Sequence, residues 1–449
     1  MSAILARLSG QLQDGQLLDG FQAERWAICE RVPKAVVFPE NEDQVAELLS
    51  IANEEGWHCV PCGRGTWLRG GSEPRGVDLV LALSRMNTLL AHEPDDLYFE
   101  AEAGLGLDAL HGRVSEHGQW LPIDPHATTK VAPAPVPPGD ARGSVGAMVS
   151  LGCAGPLRAG FGTPRDHVLG ATIVTGDGRL LRLGGKVVKN VAGFDLLKLM
   201  AGSWGTLGVI TKVTARLHPL PEVDRTLLFK CRDATECTAL ASLIICAPVL
   251  LAAVEVLIPG DREEGQSDST PLVAVRVLES AAAVSQAENV VTEQAGTPPF
   301  RCLEGEESRA IFANVQRMEE GAELVLRLSL LPSRLPELAM MAQELVDLCD
   351  PDVGWGARLA GHAPSGILRV MISRLDRREG GLDRALAVLE RLRLSLEAES
   401  GSLVISEGPQ DVVGPLGAWG DVGSAAALMA GLQREFDPGA ILSQGRLGP

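Results

Sequence analysis

The feature that most constrains this chain is a run of glycines set among lysines and an amide. It reads Gly185-Lys186-Val187-Val188-Lys189-Asn190-Val191-Ala192-Gly193-Phe194-Asp195-Leu196, and continues at Gly202-Ser203-Trp204-Gly205-Thr206-Leu207-Gly208-Val209-Ile210-Thr211. Such spacing keeps main chain exposed and admits close approach by a large ligand. A second segment of this kind lies far upstream, Pro61-Cys62-Gly63-Arg64-Gly65-Thr66-Trp67-Leu68-Arg69-Gly70-Gly71. The two read as the ends of one extended cofactor site.

Bulk composition narrows the partners. A formal net charge of −18 argues against a nucleic-acid partner, because phosphate backbones need clustered cations. Against that background Arg64 and Arg69 stand out in their glycine loop. With 449 residues, 45% of them hydrophobic, the chain is long enough for two or three globular domains. The opening stretch, interrupted by Arg7 and Asp14, reads as a short amphipathic helix and not an export signal. No run approaches about 18 uninterrupted apolar residues, so no transmembrane segment is expected. Nine cysteines without a disulfide-framework spacing fit a reducing compartment, and a cytoplasmic location is expected. The lone CxxC, Cys59-Val60-Pro61-Cys62, reads as a buried strand-end cysteine followed by a loop cysteine.

From residue 33 strands and helices alternate. Ala35 to Phe38 predicts a strand, and Asn41 a cap for a helix to about Glu55 with Val45, Leu48, Leu49 and Ala52 on one face. A strand from His58 to Pro61 then delivers the chain into the first glycine loop. Further strands are predicted at Val77 to Leu83, Leu97 to Ala103, Leu169 to Val174 and Leu180 to Leu183. The stretch from Pro122 to Pro164 reads as one long irregular, functional region. After Pro221 the glycine signatures fade, and strands alternate with amphipathic helices such as Arg334 to Leu348 and Leu382 to Glu399. A glycine-rich linker, Glu407 to Gly423, leads to a final helix and the tail Phe436-Asp437-Pro438-Gly439-Ala440-Ile441-Leu442-Ser443-Gln444-Gly445-Arg446.

One motif misleads. Gly104-Leu105-Gly106-Leu107-Asp108-Ala109 follows a predicted strand, opens a helix and has Asp124 further on, as a dinucleotide fingerprint would. Asp124, however, sits in a Pro-Ile-Asp-Pro turn and not at a strand end, so the segment reads as a tight turn into a surface helix. The Pro61 loop is the stronger candidate. A diphosphate needs several N–H donors converging on it, which glycines permit, with Arg64 adding charge and Thr66 a hydroxyl.

Several motifs in order resemble the FAD domain of the vanillyl-alcohol-oxidase (PCMH-type) family. These are the Pro-Cys-Gly-Arg-Gly-Thr loop after a βαβ start, the Pro122-Ile123-Asp124-Pro125 turn, the Gly155 to Gly170 segment and the Gly202 to Thr211 segment. The run from Gly185 to Leu196, Cys153-Ala154-Gly155-Pro156-Leu157-Arg158, Arg165-Asp166-His167-Val168-Leu169-Gly170 and the Phe-Asp-Pro…Gly-Arg tail narrow this to a resemblance to the E subunits of glycolate oxidase (glycolate dehydrogenase).

The resemblance implies an α+β chain: a PCMH-type two-subdomain FAD-binding fold with an inserted α+β cap. Its parts would be an N-terminal helical segment (1–32), the FAD domain (33–222), a cap (223–405) and a C-terminal segment returning to the FAD domain (406–449). It also implies that Pro61, Cys62, Gly63, Arg64, Gly65, Thr66 and Trp67 hold the FAD pyrophosphate, with Gly70 and Gly71 extending the loop. Pro125, Ser144, Gly146 and Gly155 would line the flavin and ribityl chain, while Val209 and Ile210 would meet the adenine through main chain. The loop lacks the histidine to which many relatives attach flavin, so FAD is expected to be non-covalent.

Oxidising a 2-hydroxy acid needs a cation for the carboxylate and a base for the hydroxyl proton. Related D-2-hydroxyacid dehydrogenases supply a His-x-Gly-Asp-Gly-x-x-His-like metal segment from the cap, which this chain lacks, so no metal site is expected. The nearest candidates are His362, in Gly361-His362-Ala363, as base and Arg358, one helical turn earlier, as cation. The expected role is FAD-binding subunit of a glycolate (2-hydroxy acid) oxidase complex, beside a catalytic D-type flavoprotein subunit and an iron–sulfur F-type subunit. Through such a complex it could sit peripherally at the inner membrane. Two alternatives stay open: a self-sufficient D-2-hydroxyacid dehydrogenase, and a non-catalytic assembly subunit that keeps the fold.

Overall fold

The computed structural model describes residues 3–8, 10–68, 70–126, 143–185, 195–260, 270–352 and 354–448. The chain divides into two units, one of residues 1–154, 163–220 and 421–449 and the other of residues 155–162 and 221–420. Among the described residues no helix is long and apolar enough to cross a membrane.

The first unit opens with the predicted βαβ element. Asn41 accepts the Gln44 amide at 2.9 Å and starts the helix Glu42–Glu55, which Gly56 ends in a left-handed conformation. The buried face of that helix carries Val45, Leu48, Leu49, Ile51 and Ala52. Each leucine removed from water there contributes about 2 kcal/mol. The helix is the crossover between Ala35–Val37 and Cys59–Cys62. Both strands pair in parallel with Leu79–Ala82 between them, and Leu17–Asp19 adds an antiparallel edge. A second sheet is antiparallel throughout, in the order Leu89–Glu93, Tyr98–Glu102, Val209–Arg216, Val168–Val174, Leu180–Gly184. Apolar side chains from both sheets and the helix form one core, with Phe99, Leu107, Ile173 and Val213 inside it.

The segment that follows the helix Ala425–Phe436 closes this unit. The Cys59 amide donates to Ile441 O at 2.7 Å and the Ser443 amide to Cys59 O at 2.9 Å, so Leu442 bridges Cys59 in parallel. This pairs the free edge of Cys59–Cys62 at its first residue, at the start of the strand that leads into the glycine loop. Asp437 turns the chain into that position. Its buried carboxylate accepts the amides of Ile441 (3.1 Å) and Leu442 (2.8 Å) and the Gln444 side-chain amide (3.0 Å). Two glycines admit the turn: a Cβ on Gly176 would stand 2.1 Å from Asp437 Oδ1, and one on Gly439 2.0 Å from Asn53 Oδ1.

The second unit is an eight-stranded antiparallel sheet. Its order is Arg301–Glu304, Val223–Lys230, Leu272–Glu279, Ala253–Ile258, Ala357–His362, Ile367–Ile372, Leu324–Ser329, Ser402–Glu407. The helices Ala234–Ile244, Leu335–Ala342 and Gly381–Ala398 bury one face of it against Leu227, Val256, Leu359, Leu368 and Val370. Strand alternation then sends Glu255, Arg358, His362, Arg369 and Met371 to the other face.

Three local expectations change. The region from Pro122 to Pro164 holds a helix, Val145–Leu151, whose cap Ser144 accepts the Ala147 amide at 3.3 Å. Its glycines disguise it: Gly143 and Gly152 are left-handed flanks, and Gly146 brings main chain against Ala103, its amide donating to Ala103 O at 2.8 Å. The helix expected from Arg334 to Leu348 is α-helical only over Leu335–Ala342 and tightens to 3₁₀ over Gln343–Leu348. The linker expected over Glu407 to Gly423 contains the helix Gln410–Leu416.

Burial raises the Asp437 carboxyl above its ordinary range, so the folded state favours its protonated form. Stability from this group is therefore present at low pH and is lost as pH rises through the folded value. Asp437→Ala removes the acceptor for two buried amides and is expected to lower the thermal midpoint, at a cost of about 3 kcal/mol. Asp437→Asn keeps one acceptor, should cost less, and should remove this pH dependence; equal loss in both variants would contradict it.

Candidate functional site

Where the strand Cys59–Cys62 leaves its sheet, the chain runs through Gly63, Arg64, Gly65, Thr66 and Trp67. Gly65 is left-handed, at φ +83°. The main-chain amides of Gly63, Gly65, Thr66 and Trp67 donate to no acceptor among the described residues. Four such donors in one turn form a nest suited to a diphosphate. Gly63 is small for a steric reason: a Cβ there would stand 2.3 Å from Ser144 Oγ.

The second glycine segment meets the first. Trp204 is left-handed at φ +53°, Gly205 at φ +72° and Gly208 at φ +158°, ahead of the strand Val209–Arg216. A Cβ on Gly205 would lie 2.7 Å from Pro61 Cγ. A non-glycine residue in the left-handed region carries a strain cost of about 1 kcal/mol or more, and at Trp204 the indole is thereby set in the wall of a cavity.

That cavity has a volume of about 700 Å³, open to solvent, and lies wholly within the first unit. All of residues 61–67 line it, together with Ser144, Gly146, Val209 and Ile210. Gly70 and Gly71 do not reach it, although Gly71 packs behind the wall, where a Cβ would lie 3.1 Å from both Arg446 O and Trp204 Cζ3. Pro125 is buried away from it, and Gly155 belongs to the second unit. Arg69 and residues 186–194, singled out in the sequence, lie outside the described residues.

The cavity also has walls that local sequence does not announce. Leu83, Ala103 and Leu151 supply apolar surface, Trp204 a ring, and Ser443 and Arg446 arrive from the far end of the sequence. Only the tail motif from Phe436 to Arg446 signalled the last two, and it indicated no position for them. Burial pushes the Cys62 thiol up to about 12, against the lowering effect of Arg446, so this cavity-lining cysteine stays a neutral thiol at physiological pH. The dinucleotide-like segment is structural. Gly104 turns the chain where a Cβ would meet Leu83 O at 1.9 Å, and the helix Leu107–Ser115 follows.

The residues present fit FAD: free main-chain donors in a glycine cradle, an elongated wall of small and apolar side chains, and two arginines for the negative charge. No group of three His, Cys, Asp or Glu side chains among the described residues could hold a metal ion.

In the second unit His362 and Arg358 lie on a strand and not on a helix. Their even spacing puts them on one face, about 13 Å apart along the strand, with Ala360 between. His362 is 7% exposed, and its Nδ1 lies 2.6 Å from Glu255 Oε1 on the neighbouring strand. The carboxylate can only accept, so Nδ1 carries the proton. Nε2 is buried with no hydrogen-bond partner among the described residues. The Arg358 guanidinium lies 3.8 Å over the Trp355 ring.

Gly63→Ala is expected to push Ser144 into the cavity and lower FAD occupancy at least about tenfold, with secondary structure unchanged. Absorbance at the flavin bands per mole of purified protein reads this; full occupancy would contradict it.

Comparison with known proteins agrees with this geometry. Residues 33–184 match the family described as FAD binding domain. The glycolate oxidase subunit GlcD of Bacillus subtilis (strain 168) is 33% identical over 229 residues, 51% of this chain and 46% of that protein. The glycolate oxidase subunit GlcE of Escherichia coli (strain K12) is 38% identical over 139 residues, 31% of this chain and 37% of that protein. A D-lactate dehydrogenase of Anaerostipes hadrus is 25% identical over 470 aligned positions, 96% of this chain and 93% of that protein. The matched region thus spans less than half of the two glycolate oxidase subunits. Among solved structures, p-cresol methylhydroxylase with substrate bound superposes with a TM-score of 0.74 at 17% identity, over 99% of this chain and 96% of that one, which shows a shared fold. The chain therefore has the α+β fold of p-cresol methylhydroxylase, its residues 33–184 match the FAD binding domain family, and FAD is its cofactor.

Proposed function

We propose that this chain is the FAD-carrying subunit of a complex that oxidises glycolate or a related 2-hydroxy acid, acting on a CH–OH group. Its partners in that reading are a D-type flavoprotein subunit and an iron–sulfur F-type subunit. The observation that carries the proposal is the cavity uniting both glycine segments, in a chain that is 38% identical over 139 residues to a protein named glycolate oxidase subunit GlcE. The match to a second protein named as a glycolate oxidase subunit supports the same reading.

FAD, when bound, supplies a two-electron acceptor for the substrate's hydride. The chain's own residues supply the remainder. Loop amides from 63 to 67 and Arg64 hold the diphosphate, while Ser144, Gly146, Val209 and Ile210 shape the wall along the cofactor. Arg358 offers a cation for the substrate carboxylate. His362 takes the hydroxyl proton on Nε2, and Glu255 holds the opposite nitrogen protonated so that Nε2 keeps its lone pair.

A self-sufficient D-2-hydroxyacid dehydrogenase is the second reading. It is favoured by the alignment with a D-lactate dehydrogenase over 96% of this chain.

Anaerobic titration of the purified yellow protein separates the two. In the subunit reading, glycolate bleaches the flavin only when the D-type partner is present; bleaching of the isolated chain by D-lactate or glycolate selects the second. Bleaching in neither condition would remove both. His362→Gln is expected to slow substrate-dependent reduction of this chain's flavin by about 10²- to 10⁴-fold at unchanged FAD content. An unchanged rate would place the base elsewhere.

A further inference from the structure

Arg446 is 4% exposed and sits in the wall of the flavin cavity. Its Nη1 donates to Leu68 O at 2.8 Å and its Nη2 to Trp67 O at 3.4 Å. Those are the carbonyls at the end of the turn that lines the cavity. The arginine's main chain holds the continuation of the same loop. Ser72 N–H donates to Arg446 O at 3.2 Å, and Arg75 N–H donates to Gln444 O at 2.8 Å. On its other side the guanidinium lies 5.8 Å from the centre of the Trp204 ring, part of the second glycine segment. One side chain therefore contacts both halves of the cradle.

The chemistry of this placement is specific. A planar guanidinium can bind two adjacent carbonyls at once, which an ammonium does as a point donor only. Bound there, the arginine fixes the closing end of the turn, where the Leu68 amide donates back to Gly65 O at 3.4 Å and the Gly70 amide to Trp67 O at 3.3 Å. Burial lowers the Arg446 guanidinium to about 10, so it remains a cation at physiological pH.

We infer that Arg446 is a positioning residue for the flavin diphosphate: carried in by the segment after Phe436, it holds residues 67 and 68 in the shape that turns the loop amides into the cavity. The inference rests on FAD as cofactor and is independent of the substrate.

Fluorescence titration of the full-length apoprotein with FAD, and separately with riboflavin, which lacks the diphosphate, tests it. Arg446→Gln should weaken FAD about ten- to a hundredfold while changing riboflavin affinity less than about threefold, so the preference for FAD collapses. Arg446→Lys, which keeps the charge but not the fork, should recover part of that preference. FAD protection of residues 437–448 against hydrogen exchange should be present in the natural protein and lost in Arg446→Gln. Wild-type FAD affinity in Arg446→Gln would overturn the inference. So would an equal loss for both flavins, which marks a residue that only supports the fold. A natural protein that takes up no FAD would remove the cofactor and the inference with it.

Discussion

The pairing of Cys59 with the segment at Ile441 to Ser443 is the contact on which the rest of the first unit depends. A strand that leads into a ligand-binding turn must be held at both edges, or the turn drifts with it. Leu79–Ala82 holds one edge along its length, and two main-chain hydrogen bonds from the tail hold the other. The buried Asp437 carboxylate fixes the tail's own path by accepting three donors. Sheet, tail and glycine loop are thus one hydrogen-bonded assembly, and the cavity is the space left on its inner side.

Polar accounting explains the cavity's chemistry. The turn's four N–H groups have no acceptor among the described residues and border an open cavity, where an anion can take them. The surrounding glycines are where they are because neighbouring atoms leave no room for a Cβ: Ser144 Oγ beside Gly63, Pro61 beside Gly205 and Ala103 beside Gly146. The second unit solves a different problem. One face of its sheet is filled with aliphatic side chains under helices, while the other carries ionisable ones paired across strands, such as Glu255 with His362 and Asp224 with Arg276 at 2.7 Å.

What could be read from sequence depended on how far apart the interacting groups are. The helix Glu42–Glu55, with its Asn41 cap, is written in consecutive residues and appears where expected. Residues 61–67, a compact cluster of small residues and one arginine, read as a single cradle and line a single cavity. The helix Val145–Leu151 was hidden because glycines needed for close approach to Ala103 look like loop formers. Gly155, which the family resemblance set beside Ser144 along the flavin, falls in the other unit. The His362 and Arg358 spacing suits a helix or a strand, and only the sheet decides between them. The hardest feature to read was Arg446, whose partner Leu68 is 378 residues away. No local pattern encodes such a contact.

That separation orders events during synthesis. The glycine turn leaves the ribosome early, but the tail segment and arginine that brace it follow only after the whole eight-stranded unit has been made. Closing so long a loop is a late step, since its entropy cost is met before the contact returns anything. Until then the nascent chain carries an incomplete pocket, so capture of the yellow cofactor follows translation of the intervening unit and does not guide it.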